Sequence, residues 1–128
     1  MSATETAIST ALDLSVLLGD WRNTNQRGGI ERIVCEPAGH DRLTVRCYGR
    51  TEPEPRDWGA VEAPVFAFTF DSTQAGAFLA IFDLGFLEVR LQANVKAGVL
   101  VVATFNRFND ASGRSNYFER EFFYRTEG

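Results

Sequence analysis

From Trp21 onward, short apolar runs alternate with clusters of Gly, Pro, Asn and Asp at a spacing of about ten residues. We count eight such runs, at 19–24, 29–35, 42–50, 58–70, 75–82, 86–95, 99–108 and 115–125. Because the connections between them are short, consecutive runs must pair as antiparallel neighbours. No helical pattern is long enough to cover a sheet face, so closure is the better way to bury one side. We predict an all-β fold, an eight-stranded antiparallel up-and-down β-barrel, with a sandwich as the alternative.

Before the first strand, residues 9–18 predict a short N-terminal helical turn. Its apolar face would consist of Leu14, Leu17 and Leu18. The chain has 128 residues and a hydrophobic fraction of 45%, enough for one core. We therefore expect an N-terminal arm at 1–14 and a single domain at 15–128.

Composition excludes several classes of function. The net charge is −4 and no basic run is present, so nucleic acid is not an expected partner. No apolar stretch reaches the roughly 18 residues of a membrane helix, so we expect no membrane partner either. The N-terminus lacks a secretory signal, which predicts a cytoplasmic protein with Cys35 and Cys47 as thiols. The single histidine, His40, argues against a Ser-His-Asp triad and a multi-histidine zinc site, and we expect no metal and no cofactor.

Alternation within each run predicts which side chains point into the barrel. In the sixth run the inward set is apolar, namely Leu87, Val89, Leu91 and Ala93. In the eighth run we place Phe118, Arg120, Phe122 and Tyr124 inside. The fourth, fifth and seventh runs are apolar on both faces, which indicates that their outer face is covered. We therefore expect a homodimer or a larger homo-oligomer.

The motif Gly19-x-Trp21 at the start of the first strand resembles that of the calycin superfamily of lipocalins, fatty-acid-binding proteins and avidins. The stretch from Gly19 to Asn23, followed by a glycine and a strand beginning at Ile30, is most similar to the avidin branch. The resemblance implies that Trp21 closes one barrel end by packing on an arginine of the last strand, Arg120 or, as the alternative, Arg125. It also implies that Asn23 contacts a ligand. With Trp21 and Trp58 as the only tryptophans, the multi-tryptophan cage for biotin cannot be built.

A barrel of eight strands is wide enough to hold one small ligand, and the aromatic residues supply flat apolar walls. We expect a small hydrophobic or amphipathic ligand in the interior. The predicted ligand-binding residues are Asn23, Asn25, Trp58, Phe66, Phe68 and Tyr124, with Thr104 and Asn106 as further polar candidates.

Three functions fit these observations, and the sequence does not decide whether the chain is an enzyme. The first is a carrier or binding protein. The second is a cofactor-independent isomerase or cyclase acting on a polyketide-like or terpene-like substrate. Its acid or base would be Glu62, Glu31 or Tyr48, whose facing the sequence leaves open. The third is a structural or interaction protein with a filled barrel.

One turn is rich in hydrogen-bonding residues. We predict a hairpin over 110–118 with Gly113 at positive φ and Asp110 bonding the backbone. The alternative is a lid at the barrel mouth in which Arg114 holds an anionic group.

Overall fold

The computed structural model of the protein describes residues 12–39 and 41–126. The strands within these ranges are β1 (Gly19–Asn23), β2 (Ile30–Pro37), β3 (Arg42–Gly49), β4 (Arg56–Ala67), β5 (Ala75–Asp83), β6 (Leu87–Lys96), β7 (Val99–Phe108) and β8 (Tyr117–Arg125). They form a closed antiparallel barrel in chain order, and β8 pairs with β1. The predicted all-β, up-and-down barrel is confirmed, and no sandwich forms.

The N-terminal segment at 12–18 contains a hydrogen-bonded turn and no helix. The backbone N–H of Asp13 donates to the carbonyl of Thr73, and the carbonyl of Asp13 accepts from the N–H of Ala75. These backbone groups form a β-bridge to the barrel and are not available for helical hydrogen bonds. Leu14 and Leu17 are nevertheless buried against the core. The rest of the predicted helical turn, 9–11, and His40 lie outside the described residues.

The core fills the barrel with side chains from alternate strand positions. In β6 the inward set is the predicted one. The buried apolar residues of the strands are Trp21, Ile30, Ile33, Cys35, Leu43, Val45, Cys47, Ala63, Val65, Ala75, Phe78, Ala80, Phe82, Leu87, Val89, Leu91, Ala93, Leu100, Val102 and Phe123. Each fully buried Leu, Val or Phe contributes roughly 1.5–3 kcal/mol relative to an exposed position.

The facing predicted for β8 is wrong. Phe123 is 1% exposed, whereas Phe118, Arg120, Phe122 and Tyr124 all lie on the outer surface. The reason is the pairing that closes the barrel, in which Trp21 lies opposite Arg125 and Asn23 lies opposite Phe123. Residues directly opposite each other in an antiparallel pair share a face, so the inward β1 residues fix the odd-numbered β8 residues as inward.

The barrel has two different ends. The turns after β2, β4 and β6 lie at one end together with segment 12–18, and we call this the closed end. The turns after β1, β3, β5 and β7 lie at the other end, which we call the mouth. The two ends differ in chemistry, and this difference positions the candidate site.

Candidate functional site

The closed end is sealed by Trp21 and the turn that precedes β1. Trp21 is fully buried, and its indole Nε1 donates to the carbonyl of Leu17 at 3.0 Å. The guanidinium of Arg125 lies 4.7 Å from the indole centroid, and its Nη2 donates to the carbonyl of Val16 at 2.6 Å. Arg125 therefore ties both the indole and the covering turn to the last strand.

Arg120, our first choice for the partner of Trp21, does not reach it. Arg120 is exposed on the outer surface, where its guanidinium lies 5.8 Å from the ring of Phe118. This follows from the inverted facing of β8. The arginine of the last strand that lies over Trp21 is Arg125, the alternative partner.

At the mouth the inner wall becomes polar. Five side chains of β1, β7 and β8 form what we call the mouth cluster: Asn23, Thr104, Asn106, Glu119 and Glu121. Asn23, Thr104 and Asn106 are 5–7% exposed, and the two glutamates are half-buried. In the β7–β8 pairing Thr104 lies directly opposite Glu119. The mouth thus holds two carboxylates on a wall that is apolar farther in.

Glu121 is held by two amides. Its Oε1 accepts from Nδ2 of Asn23 at 2.9 Å, and its Oε2 accepts from Nδ2 of Asn25 at 2.6 Å. The same Asn23 amide donates to the carbonyl of Ile30 at 2.8 Å. Gly28 permits this packing, because a Cβ there would lie 2.6 Å from both Glu121 oxygens. Glu121 is therefore a fixed, fully partnered carboxylate.

Glu119 differs from Glu121 in having no hydrogen bond or ion pair to any residue in the described ranges. Burial raises the pKa of the Glu119 carboxyl, and the neighbouring Glu121 charge raises it further. The pKa of the Tyr117 hydroxyl is raised by burial and by Glu119. The protonated form of Glu119 is consequently more populated than in an ordinary glutamate.

Thr104, opposite Glu119, also presents an unused group. Over residues 12–39 and 41–126 its hydroxyl has no hydrogen-bond partner, although the residue is only 6% exposed. The single side-chain atom in these ranges that is both sealed from solvent and unpartnered is Nε of Arg22. The Thr104 hydroxyl is therefore not fully sealed from solvent.

An aromatic wall lies at the same end of the barrel. The indole of Trp58 covers Gly49, where a Cβ would lie 2.6 Å from Nε1. It meets the buried ring of Phe82 edge-on, with centroids 5.8 Å apart and an interplanar angle of 62°. The mouth therefore combines a polar cluster with flat apolar surface, the two components of a site for an amphipathic molecule.

The rim turn at 109–116 is the predicted hairpin. Gly113 has a φ of 78°, and the backbone N–H of Ser112 donates to Oδ1 of Asp110. Arg114 donates to Asp110 Oδ2 at 2.8 Å, and its guanidinium lies 4.3 Å from the ring centroid of Phe108. Bonds from Ser112 and Arg114 hold the pKa of Asp110 below its usual value. Because the guanidinium of Arg114 is already paired, it offers no free charge to a ligand.

The predicted ligand residues divide into two groups. Asn23, Asn25 and Trp58 lie at the mouth. The others do not point into the barrel: Phe66, Phe68 and Tyr124 are 49%, 64% and 51% exposed on the outer surface. Phe66 lies opposite Ala77 in the outer row, Phe68 covers Gly76, and Tyr124 follows the inverted facing of β8.

The predicted acid–base candidates are not brought together. Glu31 sits at a bulge of β2 and pairs with Arg50 at 3.2 Å. Glu62 is exposed on β4, and Tyr48 lies beneath the guanidinium of Arg32 at 4.9 Å. The carboxylates that sequence reasoning missed are Glu119 and Glu121. The two glutamates alternate with aromatic residues along β8, and this pattern was the available signal. The alternating set that contains Phe118, Phe122 and Tyr124 is the more aromatic one, and it was therefore predicted to point inward.

Comparison of the chain with protein-family models, with curated proteins and with solved structures finds no match. The barrel is compatible with the calycin architecture. In the described ranges no helix is long and apolar enough to cross a membrane. Residues 12–39 and 41–126 also contain no group of three or more His, Cys, Asp or Glu side chains placed to hold a metal ion.

Proposed function

We propose that this protein is a small-molecule-binding barrel that takes an amphipathic ligand at its mouth. The polar end of the ligand lies against Glu119 and Thr104, and its apolar part lies against Trp58. The observation that carries the proposal is the directly opposed pair of Glu119 and Thr104, which lack protein partners on the inner wall.

Unpartnered polar groups on an inner wall have an energetic cost. Buried polar side chains in native proteins almost always have a partner, and a missing hydrogen bond costs about 1–3 kcal/mol. Thr104 is the more buried of the two, and the carboxylate of Glu119 is partly desolvated. A ligand that donates a hydrogen bond to Glu119 and accepts or donates one at Thr104 supplies partners that the described residues do not.

The charges at the mouth select the head group of the ligand. The mouth cluster contains two carboxylates and no cation. Of the arginines at this end, Arg50 and Arg114 are engaged by Glu31 and Asp110, whereas Arg27 and Arg56 are exposed on the rim outside the cluster. An anionic head group would be repelled, so the site favours a cationic or hydroxyl-bearing head attached to an apolar body.

The resemblance to calycins supports the same placement. In that superfamily the tryptophan after the first glycine closes one end, and here Trp21 and Arg125 occupy the closed end. The inward side chains next to them are packed, since Leu17, Ile33 and Leu100 are fully buried. A ligand therefore has to enter from the mouth, where Asn23 of the motif meets Glu121.

The enzyme alternative has one specific observation in its favour. Two carboxylates lie two residues apart on one face, and their environments differ: Glu121 accepts two amide hydrogen bonds, whereas Glu119 is desolvated with a raised pKa. Two nearby carboxylates whose environments favour different protonation states can serve as acid and base. The cofactor-independent isomerase or cyclase therefore remains the second candidate, with Glu119 as the acid.

The binding proposal is tested with decylamine and decanoate, which share a chain length and differ in head-group charge. Quenching or shift of Trp58 fluorescence reports binding. We expect decylamine to bind more tightly than decanoate, and Glu119→Gln to weaken it about tenfold, the equivalent of one charge-assisted hydrogen bond. The matched control, Glu62→Gln on the exposed face of β4, should leave the affinity unchanged.

Equal affinities for the two probes, or an equal effect of the two substitutions, would refute the proposed site. Native mass spectrometry of the purified protein adds an independent readout. A co-purified apolar amine or alcohol, lost in Glu119→Gln and retained in Glu62→Gln, supports the proposal.

A further inference from the structure

Apart from Arg107 at its mouth end, the outer surface of β7 and β8 is apolar around a single arginine. We call it the aromatic face, and its members are Val99, Val101, Ala103, Phe105, Phe118, Phe122 and Tyr124. The rings of Phe105, Phe118, Phe122 and Tyr124 are 43–51% exposed. One charged residue, Arg120, lies among them, directly opposite Ala103, and this face carries no carboxylate.

The opposite side of the same barrel shows what an ordinary outer wall looks like. On β2 and β3 most outward residues are polar, and two of them form ion pairs with neighbouring strands, Arg32 with Asp20 at 2.7 Å and Arg46 with Asp57 at 2.8 Å. A barrel strand that contacts water on its outer side alternates in this way. The aromatic face departs from the alternation on adjacent strands, so the departure is contiguous rather than scattered.

The shape of this surface is a ridge beside a groove. The ridge consists of the rings of Phe105 and Phe118, whose centroids are 5.1 Å apart. Next to it lies an open groove of about 690 Å³ with small residues such as Ala77 and Ala103 in its floor and Phe122 in its wall. The groove continues over β6 and β5, where Gln92, Asn94 and Leu79 line it.

We propose that the aromatic face is covered by the same face of a second copy of this chain, related by a two-fold axis. In such an isologous contact the ridge of each copy faces the groove of the other, so the surface is its own complement. This inference does not depend on the mouth or its ligand. It would explain why the outer faces of two neighbouring strands carry exposed aromatic rings.

The available area suits a dimer of ordinary size. An aromatic side chain presents about 200 Å² when fully exposed, so four half-exposed rings supply roughly 400 Å² per copy. A standard interface buries about 800 Å² per partner. The remainder comes from the aliphatic members of the face and from the groove lining, including Phe66 and Leu79.

The composition also matches that of a protein interface. Interface centres are depleted of carboxylates and lysine and enriched in aromatic residues and arginine. Arg120 fits this description, because its guanidinium lies over Phe118 and makes no ion pair with any residue described. The groove lining also includes Gln92, Asn94 and Lys96, of which Lys96 is exposed at the end of β6. The amides of Gln92 and Asn94 can both donate and accept, so they can pair with their own copies.

The test compares Phe122→Arg with Phe70→Arg by sedimentation velocity and light scattering at about 1–100 µM protein. Phe70 is fully exposed and lies outside the aromatic face, so it is a matched control for an aromatic-to-charge change. We expect the wild-type protein and Phe70→Arg to be dimeric. Phe122→Arg should be monomeric at the same concentrations, with unchanged circular dichroism.

Several outcomes would overturn the inference: a monomeric wild-type protein, a dimer that survives Phe122→Arg, or a dimer lost only in Phe70→Arg. A monomer that carries a small amphiphile in the groove, detected by native mass spectrometry, would also overturn it. If Phe122→Arg does not fold, Phe118→Ser replaces it, because Phe118 is 49% exposed and contributes little to the core.

Discussion

Replacing Arg125 with alanine removes the side chain that connects the last strand to the closed end. The guanidinium stacks on Trp21 at 4.7 Å and donates to the carbonyl of Val16 at 2.6 Å. It also packs its stem against Gly19, where a Cβ would lie 3.2 Å from Cδ of Arg125. A longer hydrogen bond joins Nη1 to the carbonyl of Ser15 at 3.5 Å. These contacts are lost together, and none of them involves the mouth or the aromatic face.

The expected loss of stability follows from two of these contacts. A cation–π contact at an exposed site is worth about 0.5–1 kcal/mol, and a hydrogen bond from a charged group contributes about 1.5 kcal/mol. Because Arg125 is exposed, we take the lower ends, which sum to about 2 kcal/mol. With a urea m-value of roughly 2 kcal/mol/M, the unfolding midpoint should fall by about 1 M.

The assay is urea unfolding followed by circular dichroism at one fixed protein concentration, so that any association affects all variants equally. Arg42→Ala is the control, since Arg42 is exposed at the start of β3 and makes no ion pair with a described residue. It should change stability by less than about 0.5 kcal/mol. Arg125→Lys keeps the charge but loses the planar stacking surface, so it should recover only part of the loss.

An Arg125→Ala midpoint that matches that of Arg42→Ala would refute this account of the closed end. It would mean that the buried indole of Trp21, with its hydrogen bond to Leu17, closes the barrel without help from the last strand. Full recovery in Arg125→Lys would refute the stacking part alone.

Three further predictions concern the mouth and the core. Burial raises the pKa of the Glu119 carboxyl above its ordinary value of about 4.5, so the folded state binds this proton more tightly than the unfolded chain does. The free energy of unfolding should therefore fall as the pH rises from about 4.5 through the raised pKa of the folded state. Glu119→Gln should reduce this fall in the free energy of unfolding and should be more stable than the wild-type protein at the higher pH values. Urea unfolding between about pH 4 and 7 measures it, and a pH dependence equal to that of the wild-type protein would contradict the prediction. Burial raises the pKa of Cys35 to about 12 and that of Cys47 well above its ordinary value, so a thiol reagent at neutral pH should label neither in the folded protein and both after unfolding. Fast labelling of the folded protein would be inconsistent with this burial. Gly49→Ala places a Cβ 2.6 Å from Nε1 of Trp58, so the indole must move. The free energy of unfolding should fall by about 1–3 kcal/mol, and the fluorescence emission of Trp58 should shift. An unchanged urea unfolding midpoint would argue against this contact.

Much of the fold could be predicted because the turn chemistry is local. Gly, Asn and Asp favour turns by their own backbone preferences, so a few neighbouring residues determine where each strand ends. β7 begins and ends where predicted, at Val99–Phe108, and β5 differs by one residue at its end. The order of the strands followed from the short connections. Of the helical turn predicted over 9–18, the described part at 12–18 has a hydrogen-bonded turn and no helix, because Asp13 bonds to Thr73 and Ala75, which is a long-range contact.

The candidate site was only half predictable. Asn23 and Trp58 were found because a motif and an aromatic run pointed to them. Glu119 was not, because in β8 both alternating sets contain aromatic and charged residues, and a hydrophobic count favours Phe118, Phe122 and their neighbours as inward. The facing of a strand is decided by its partner, and the partner here is β1 across the closure of the barrel.

One register therefore produces both proposed surfaces. An eight-stranded barrel has room for little more than its own side chains, and Phe78 and Phe82 already occupy much of it. The observed facing adds Phe123 to the core and leaves two carboxylates at the solvent-accessible mouth. The opposite facing would add three aromatic rings and the guanidinium of Arg120 to the same volume and would place the glutamates on the outer wall. The facing of β8 decides both surfaces, so a shift of β8 by one residue would remove the two glutamates from the mouth and the aromatic rings from the outer wall. Glu119→Gln and Phe122→Arg each perturb one of them, and their effects on ligand binding and on association should be separable.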